Sequence, residues 1–276
     1  MSLLQIRDLS ISFGRRTSPA VDRLSLDIAP SQRLGLIGES GSGKTVTALA
    51  VMGLLPDSAK VTGSIVLQGR ELVGLSDAAF SRVRGDSVTM IFQEPMTALD
   101  PTMTTGRQVA EVFRLHRGAD AGRAREAVVV MLAEVGLPEP ERVADSYPHQ
   151  LSGGQRQRVV TAMALINGPA LVLCDEPTTA LDVTVQATVL RLLDRVLTES
   201  GSACLFISHD LAVVSQLCSS VVVLRDGVAV ESGLTEQVLT APRDPYTAGL
   251  VATARIDAVP PGSRLPTVAD FLGGIR

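Results

Sequence analysis

A glycine-rich segment near the N-terminus has the residue types and the spacing of a phosphate-binding loop. It reads GESGSGKT at residues 38–45, between a predicted strand at 34–37 and a predicted helix at 46–55. Glycines let successive backbone N–H groups curve around phosphate oxygens, and the helix start adds the positive end of its dipole. We predict that the whole loop binds a nucleotide: Gly38, Glu39, Ser40, Gly41, Ser42, Gly43, Lys44 and Thr45.

Within this loop, two side chains have predicted roles of their own. Lys44 supplies a compact ammonium group for the β- and γ-phosphates, and the Thr45 hydroxyl is a candidate Mg²⁺ ligand. A glycine turn with a purely structural role is the alternative interpretation.

Two adjacent carboxylates follow an apolar run at residues 171–174 that predicts a buried strand. Consecutive side chains of a strand point to opposite faces, so Asp175 and Glu176 can have different roles. We predict that Asp175 holds Mg²⁺ through water and that Glu176 is the general base for the attacking water. A solvated acidic turn before Pro177 is the alternative, but it leaves the phosphate loop unexplained.

A second glycine-bearing helix start occurs at residues 151–155, with the sequence LSGGQ. Ser152 and Gln155 fit a capping box that begins a helix at 153–166. A helix start with two glycines and a hydroxyl is also an anion site. Because this helix start lies far along the chain from the phosphate loop, we expect it to meet ATP held by another subunit. The residues of this predicted contact are Leu151, Ser152, Gly153, Gly154 and Gln155.

Three further side chains are candidates for contacts with the nucleotide. His209 follows an apolar run and could sense the γ-phosphate, by analogy with related folds, or could have a structural hydrogen-bonding role. Gln93 ends a strand-like run and is a candidate hinge and γ-phosphate or Mg²⁺ contact, the alternative being a solvated loop amide. Phe13 is a candidate for stacking on adenine, although its alternation with Ile11 equally predicts a core-facing strand residue.

The hydrophobic periodicity predicts an α/β core that positions these residues. Alternating apolar and polar residues predict an antiparallel sheet, and short continuous apolar runs predict a parallel sheet buried on both faces. The alternating segments lie at 3–13, 24–28 and 61–67, and the continuous runs at 34–37, 171–174, 204–207 and 221–224. We predict a main domain at 1–240 with a helical subdomain at about 94–150, followed by a C-terminal extension of low regularity at 241–276.

Composition narrows the classes of partner. The net charge is −4 with acids and bases interspersed, which disfavours nucleic acid as a partner. No apolar run approaches the roughly 18 residues of a membrane span, and no N-terminal signal pattern is visible, so we expect a cytosolic protein. The three cysteines, Cys174, Cys204 and Cys218, lie in apolar stretches of the sequence. We predict that they are buried in the fold as free thiols and that the protein resides in a reducing compartment.

Taken together, these motifs resemble those of the ABC transporter ATPases from residue 3 to about 250, and within them the peptide and nickel importer ATPases. The strings that carry this resemblance are FQEPMTALDPTMTTGRQVAE at 92–111, YPHQLSGGQRQRV at 147–159, CDEPTTALDVTVQATVLRLL at 174–193 and DPYTAGL at 244–250. The resemblance implies a P-loop NTPase core of the ABC ATPase type with an antiparallel β subdomain and an inserted helical subdomain.

The resemblance also implies cofactors and partners. It implies ATP and Mg²⁺, a second ATPase subunit that is a homologue or an identical copy, and Asp182 in a loop that crosses the dimer seam. It further implies two transmembrane permease subunits, an extracytoplasmic substrate-binding protein and a location on the cytoplasmic face of the cell membrane. Many members carry a C-terminal cysteine cluster, but this chain has no cysteine beyond Cys218, so no iron–sulfur cluster is expected.

The expected function is the ATP-hydrolysing subunit of an importer of peptides or related small solutes. The alternatives are an exporter ATPase and the ATPase of a nickel or metal-chelate importer. A chromosome-maintenance ATPase would carry a long coiled coil, whereas 105 residues without sustained heptads separate Thr45 from Leu151. A ribosome-associated ATPase of this type would carry two cassettes in one chain.

Overall fold

The computed structural model describes residues 2–14, 18–92, 98–178, 183–254 and 267–272 of the chain. The strands in these segments are β1 (Leu4–Phe13), β2 (Val21–Ile28), β3 (Arg33–Ile37), β4 (Ala59–Leu67), β5 (Arg70–Glu71), β6 (Val88–Ile91), β7 (Leu171–Asp175), β8 (Ala203–Ser208), β9 (Ser220–Arg225) and β10 (Val228–Leu234).

Helices lie between several of these strands and after the last of them. They are α1 (Lys44–Met52), α2 (Asp77–Phe80), α3 (Thr105–Arg117), α4 (Ala121–Glu134), α5 (Pro140–Asp145), α6 (Gly153–Leu165), α7 (Val183–Ser200), α8 (Leu211–Leu217), α9 (Thr235–Thr240), α10 (Pro245–Ala254) and α11 (Val268–Leu272). None of the described helices is both long enough and apolar enough to cross a bilayer. The chain divides into two compact units, Met1–Gly74 with Leu205–Arg276, and Leu75–Cys204.

The first unit contains the predicted antiparallel sheet, with the strand order β2-β1-β4-β5. Leu4 and Ile6 on β1 are fully buried, and the buried positions then change phase to Leu9 and Ile11. This change in the buried positions occurs at Asp8, which has a φ of 45°. The pairing register of β1 with β2 and with β4 shifts at the same place. This β-bulge explains why the alternation in the sequence switches from even to odd residues.

A second set of strands in the first unit has the order β10-β9-β3-β8. Strand β3 pairs in parallel with β9, with Leu34 opposite Ser220, and β10 pairs with β9 in the antiparallel sense. The continuous apolar runs of β3 and β9 are buried as predicted. At Gly35 an added Cβ would lie 2.6 Å from the Val214 Cγ1, so the glycine lets α8 approach β3 closely.

Residues after Ala241 are more regular than the sequence analysis predicted. Helix α10 begins at Pro245, and proline is tolerated there because the N–H at the first position of a helix has no carbonyl partner within the helix. The helix buries Tyr246 and Val251. Helix α11 packs against it, since an added Cβ at Gly249 would lie 3.0 Å from the Val268 Cα. The expectation of low regularity is therefore wrong for these two helices, because packing outweighs the local Pro and Gly signals.

The second unit contains β6 and β7, which pair in parallel with Val88 opposite Leu171. Strand β7 is buried at every position, as its apolar sequence predicts. The Sγ atoms of Cys174 and Cys204 are 3.8 Å apart without a disulfide. Cys174, Cys204 and Cys218 are 0%, 1% and 4% exposed, which confirms the prediction of buried thiols.

The helices α3, α4 and α5 fill the second unit between residues 105 and 145, where the sequence predicted helices. Helix α3 begins against α5: the Thr105 N–H donates to the Ser146 carbonyl at 2.9 Å and the Thr105 hydroxyl donates to the Val143 carbonyl at 2.5 Å. An added Cβ at Gly106 would lie 2.7 Å from the Ala144 Cβ, so these helices approach each other closely.

Candidate functional site

The phosphate loop connects β3 to α1 in the first unit and curls around its own lysine. Lys44 is 6% exposed, and its Nζ donates to the Gly38 and Glu39 carbonyls at 2.8 Å each. The Ser42 N–H donates to the Glu39 carbonyl at 3.2 Å, which closes the turn. The ammonium group is thus held on the concave side of the loop by oxygens that phosphate oxygens could replace.

The glycines of the phosphate loop differ in how much space surrounds an added Cβ. Gly38 and Gly43 have φ values of 152° and 103°, and a Cβ at either residue would meet backbone oxygen. At Gly43 that atom would lie 2.5 Å from the Ala20 carbonyl oxygen. Gly41, with φ 83°, has nothing within 4 Å of an added Cβ, so this glycine borders open space of the kind a phosphate needs.

The phosphate loop contacts the end of β9 and the turn that follows it, a contact that the sequence analysis did not identify. The Gly227 N–H donates to the Ser42 carbonyl at 3.1 Å, and an added Cβ at Gly38 would overlap the Leu224 carbonyl oxygen. Asp226-Gly227 is a turn dipeptide in the sequence, but no local pattern connects it to a loop almost two hundred residues earlier.

The residue types of the loop fit a bound nucleotide with Mg²⁺. Thr45 is exposed in the first turn of α1, which leaves its side chain accessible to a metal ion. No cluster of three or more His, Cys, Asp or Glu side chains suited to a metal ion occurs in the described segments. Mg²⁺ usually takes most of its ligands from phosphate oxygens and water, so a site with few protein ligands at Thr45 fits its usual preference.

Strand β7 in the second unit ends at the predicted carboxylates. Asp175 is its last residue and is 6% exposed, and Glu176 follows in a half-buried position. Glu176 has a φ of 48°, in the left-handed region that costs a residue other than glycine about 1–3 kcal/mol. The strand therefore ends at Asp175, and the Glu176 backbone has the strained geometry often found in functional turns.

The LSGGQ segment forms the capping box that the sequence predicts. The Ser152 Oγ accepts the Gln155 N–H at 3.3 Å, and the Gln155 Oε1 accepts the Ser152 N–H at 2.9 Å. Leu151 is buried, whereas Ser152 and Gly153 are exposed. An added Cβ at Gly153 would have no atom within 4 Å, so packing within this chain does not require glycine there.

Of the four remaining candidate residues, the structure describes two, His209 and Phe13. His209 is exposed, directly after β8 in the first unit, where Asp210 caps α8. Phe13 is neither fully buried nor exposed at the end of β1, so its stacking on adenine stays a prediction. Gln93 and Asp182 lie outside the described residues. The phosphate loop and His209 belong to the first unit, and Asp175, Glu176 and LSGGQ to the second.

Comparison with known proteins gives matches over most of the chain. Residues 21–179 match the family model described as ABC transporter. The chain is 48% identical over 254 residues to the peptidoglycan transport ATP-binding protein YejF of Agrobacterium fabrum, covering 91% of this chain and 46% of that protein. It is 45% identical over 258 residues to a putative peptide import ATP-binding protein of Brucella ovis, covering 90% of this chain and 76% of that protein.

The chain thus spans less than half the length of YejF. Among solved structures, it resembles the dimeric ATP-binding cassette MJ0796 in a post-hydrolysis state bound to ADP and Pi, with a TM-score of 0.74 and 27% identity. That match covers 84% of this chain and 98% of the cassette.

Proposed function

Because this chain belongs to the ABC transporter family, we propose that it is the ATP-binding and ATP-hydrolysing subunit of an importer. It powers the uptake of peptides or related small solutes through separate membrane subunits. The observation that carries the proposal is the phosphate loop, in which the buried Lys44 ammonium is held at 2.8 Å by two loop carbonyls beside the open space at Gly41. The names of the relatives support peptide-type cargo.

In this proposal the first unit binds the triphosphate. Lys44 exchanges its carbonyl partners for β- and γ-phosphate oxygens, and the amides and glycines of residues 38–45 surround the phosphates. Mg²⁺, when bound, neutralises charge that develops on the phosphate oxygens. Thr45 and Asp175 would hold this ion, Asp175 through water, with Gln93 as a further contact. Phe13 stacks on the adenine ring.

Hydrolysis is assigned to Glu176, which accepts a proton from the attacking water. The water oxygen forms a bond to the γ-phosphorus, and the bond between that phosphorus and the β–γ bridging oxygen breaks. The products are ADP and inorganic phosphate, the molecules bound in the related cassette MJ0796. His209, exposed after β8, contacts the γ-phosphate and responds to its loss.

The LSGGQ segment acts on the nucleotide of a second ATPase subunit, either a homologue or an identical copy. The exposed start of α6 at Ser152 and Gly153, where packing does not require a glycine, supports this role. Two subunits close on two ATP molecules, with Asp182 in the loop that crosses the seam. Loss of the γ-phosphate reopens the pair. The related cassette MJ0796 is itself dimeric.

The remaining assignments concern the domains and the complex. We assign residues 1–240 to the ATPase domain, about 94–150 to its helical subdomain and 241–276 to a C-terminal extension. Motion of the helical subdomain resets two transmembrane permease subunits, which receive cargo from an extracytoplasmic binding protein. The subunit lies on the cytoplasmic face of the cell membrane and binds to it through the permeases.

The Glu176→Gln variant tests the catalytic assignment. The amide cannot accept the proton, so steady-state ATP hydrolysis should fall by at least about a hundredfold, in the range that general bases contribute. ATP binding should persist, and light scattering should show an ATP-dependent dimer that is stable in the variant and transient in the wild type. Lys44→Ala, measured in parallel, should lose nucleotide binding. Unchanged turnover in Glu176→Gln would contradict the assignment of the base.

A further inference from the structure

Tyr246, in the first turn of α10, reaches the phosphate loop from the C-terminal part of the chain. Its side chain is 1% exposed and is among the largest fully buried side chains of the described residues. Its hydroxyl oxygen accepts the backbone N–H of Glu39 at 2.9 Å. The Arg225 guanidinium lies over the ring, 5.4 Å from its centroid. Burial raises the pKa of Tyr246, so the hydroxyl remains neutral.

The peptide unit between Gly38 and Glu39 is held at both ends. Its N–H donates to the Tyr246 hydroxyl at 2.9 Å, and its carbonyl, on Gly38, accepts the Lys44 Nζ at 2.8 Å. In a trans peptide unit these two groups point in opposite directions, so the orientation of one fixes the orientation of the other. The tyrosine and the lysine therefore bind opposite sides of one peptide plane.

The start of α10 is itself fixed to strand β10. The Glu231 carboxylate accepts the N–H groups of Arg243 and Asp244 at 2.9 and 3.0 Å, one at each oxygen. The Asp244 Oδ1 then accepts the Tyr246 N–H at 2.8 Å and caps the helix. A continuous series of hydrogen bonds thus runs from β10 through the helix start to the phosphate loop.

We propose that Tyr246 is a positioning residue of the nucleotide site: it fixes the Gly38–Glu39 peptide so that the Gly38 carbonyl holds the Lys44 ammonium in place for phosphate. Without the hydroxyl, the Glu39 N–H has no acceptor in this position, and the peptide is free to rotate away from Lys44. The C-terminal segment is then a part of the ATP site. This inference rests on the proposed nucleotide-binding role of the loop.

The Tyr246→Phe variant removes the oxygen and keeps the buried ring. Loss of one hydrogen bond that orders the loop should raise the KM for ATP about fivefold, and the Kd of a non-hydrolysable ATP analogue equally. The kcat should stay within about twofold, because no group that touches the reacting atoms changes. The backbone amide resonance of ¹⁵N-labelled Glu39 should shift in the variant before any nucleotide is added.

The matched control is Thr253→Val, which removes another hydroxyl from α10. The Thr253 Oγ1 donates to the Leu250 carbonyl at 2.9 Å and does not reach the loop. This variant should leave the KM within about twofold of the wild type. Glu231→Gln, which weakens the attachment of the helix start, should raise the KM in the same direction as Tyr246→Phe but less, about twofold to threefold.

The outcomes separate this inference from the proposed function. If Lys44→Ala abolishes nucleotide binding while Tyr246→Phe leaves the KM and the Glu39 resonance unchanged, the positioning role is wrong and the site assignment stands. A Tyr246→Phe protein that melts earlier but keeps its KM shows that the hydroxyl contributes only to stability, which also overturns the inference. Full ATP affinity in Lys44→Ala would overturn the nucleotide site itself, and the inference with it.

Discussion

Replacing Gly43 by alanine should destabilise the protein before any nucleotide binds. Gly43 precedes α1 with φ 103° and ψ 0°, outside the region that an L-residue adopts without strain. Its Cβ would lie 2.5 Å from the Ala20 carbonyl oxygen and 3.1 Å from the Val21 Cγ2. Ala20 cannot retreat easily, because its N–H donates to the Ile11 carbonyl at 2.7 Å.

The size of the effect follows from two separate contributions. The left-handed backbone costs an alanine about 1–2 kcal/mol, and the steric conflict adds about 1–3 kcal/mol, as for other overpacked sites. Gly43→Ala should therefore lower the free energy of unfolding by about 3 kcal/mol. Gly41→Ala is the matched control, because Gly41 also has a positive φ, 83°, but its added Cβ would meet nothing within 4 Å. It should lose only the backbone contribution, about 1–2 kcal/mol.

Thermal melting without nucleotide measures the difference between these two variants. At about 2–4 °C per kcal/mol, Gly43→Ala should lower the Tm by roughly 9 °C and Gly41→Ala by roughly 4 °C. Nucleotide must be absent, because a ligand that binds only the folded state would obscure the comparison. Equal losses in the two variants, or no loss in Gly43→Ala, would refute the argument that the Ala20 carbonyl fixes this glycine.

Further predictions concern packing, pH and thiol reactivity. Gly106→Ala should lower the free energy of unfolding by about 1–3 kcal/mol, because its Cβ would lie 2.7 Å from the Ala144 Cβ. Gly122→Ala should raise it by about 0.5–1 kcal/mol, because its Cβ would meet only a side-chain oxygen at 3.4 Å and alanine favours the helix. Changes of the same sign for both variants in denaturant unfolding would contradict this prediction. Burial raises the pKa of Glu231, but hydrogen bonds from two backbone N–H groups, together with smaller contributions that include the Arg243 charge, lower it more, so its net pKa is below the ordinary 4.5. The wild type should therefore be more stable than Glu231→Gln at neutral pH, and this difference in the free energy of unfolding should shrink as the pH falls below about 4.5. A difference that grows on acidification would show that the pKa of Glu231 is shifted in the opposite direction. The three buried cysteines should resist a thiol reagent in the folded protein and react completely after denaturation, and rapid labelling of any of them would contradict their burial.

Features that depend on neighbouring residues could be predicted from the sequence. The start of α6 follows from Ser152 and Gln155, three residues apart, and the observed box has both expected hydrogen bonds. Helix α1 follows from the loop pattern, although it ends at Met52 rather than at residue 55. Gly53 explains the earlier end, since its left-handed conformation with φ 60° closes the helix.

Features that depend on distant residues could not be predicted in the same way. The Tyr246 hydroxyl and the Glu39 N–H are 207 residues apart, and nothing local to either residue indicates the other. The bulge at Asp8 depends likewise on Gly63, where an added Cβ would lie 2.5 Å from the Asp8 carbonyl oxygen. Sequence periodicity reveals the change of phase along β1, but only the paired strand explains it.

The capping box decides which hydrogen-bond donors of the α6 tip remain for a bound anion. The Gln155 N–H is taken by the Ser152 Oγ, and the Ser152 N–H by the Gln155 side chain. The hydroxyl proton of Ser152 is not used in either bond, because its oxygen serves there as acceptor. The Gly153 and Gly154 amides lie in the first helical turn, where no carbonyl of the helix can accept them. The box and the helix therefore do not use one hydroxyl and two adjacent amides, which supports the proposal that this tip binds the phosphates of ATP held by a second subunit.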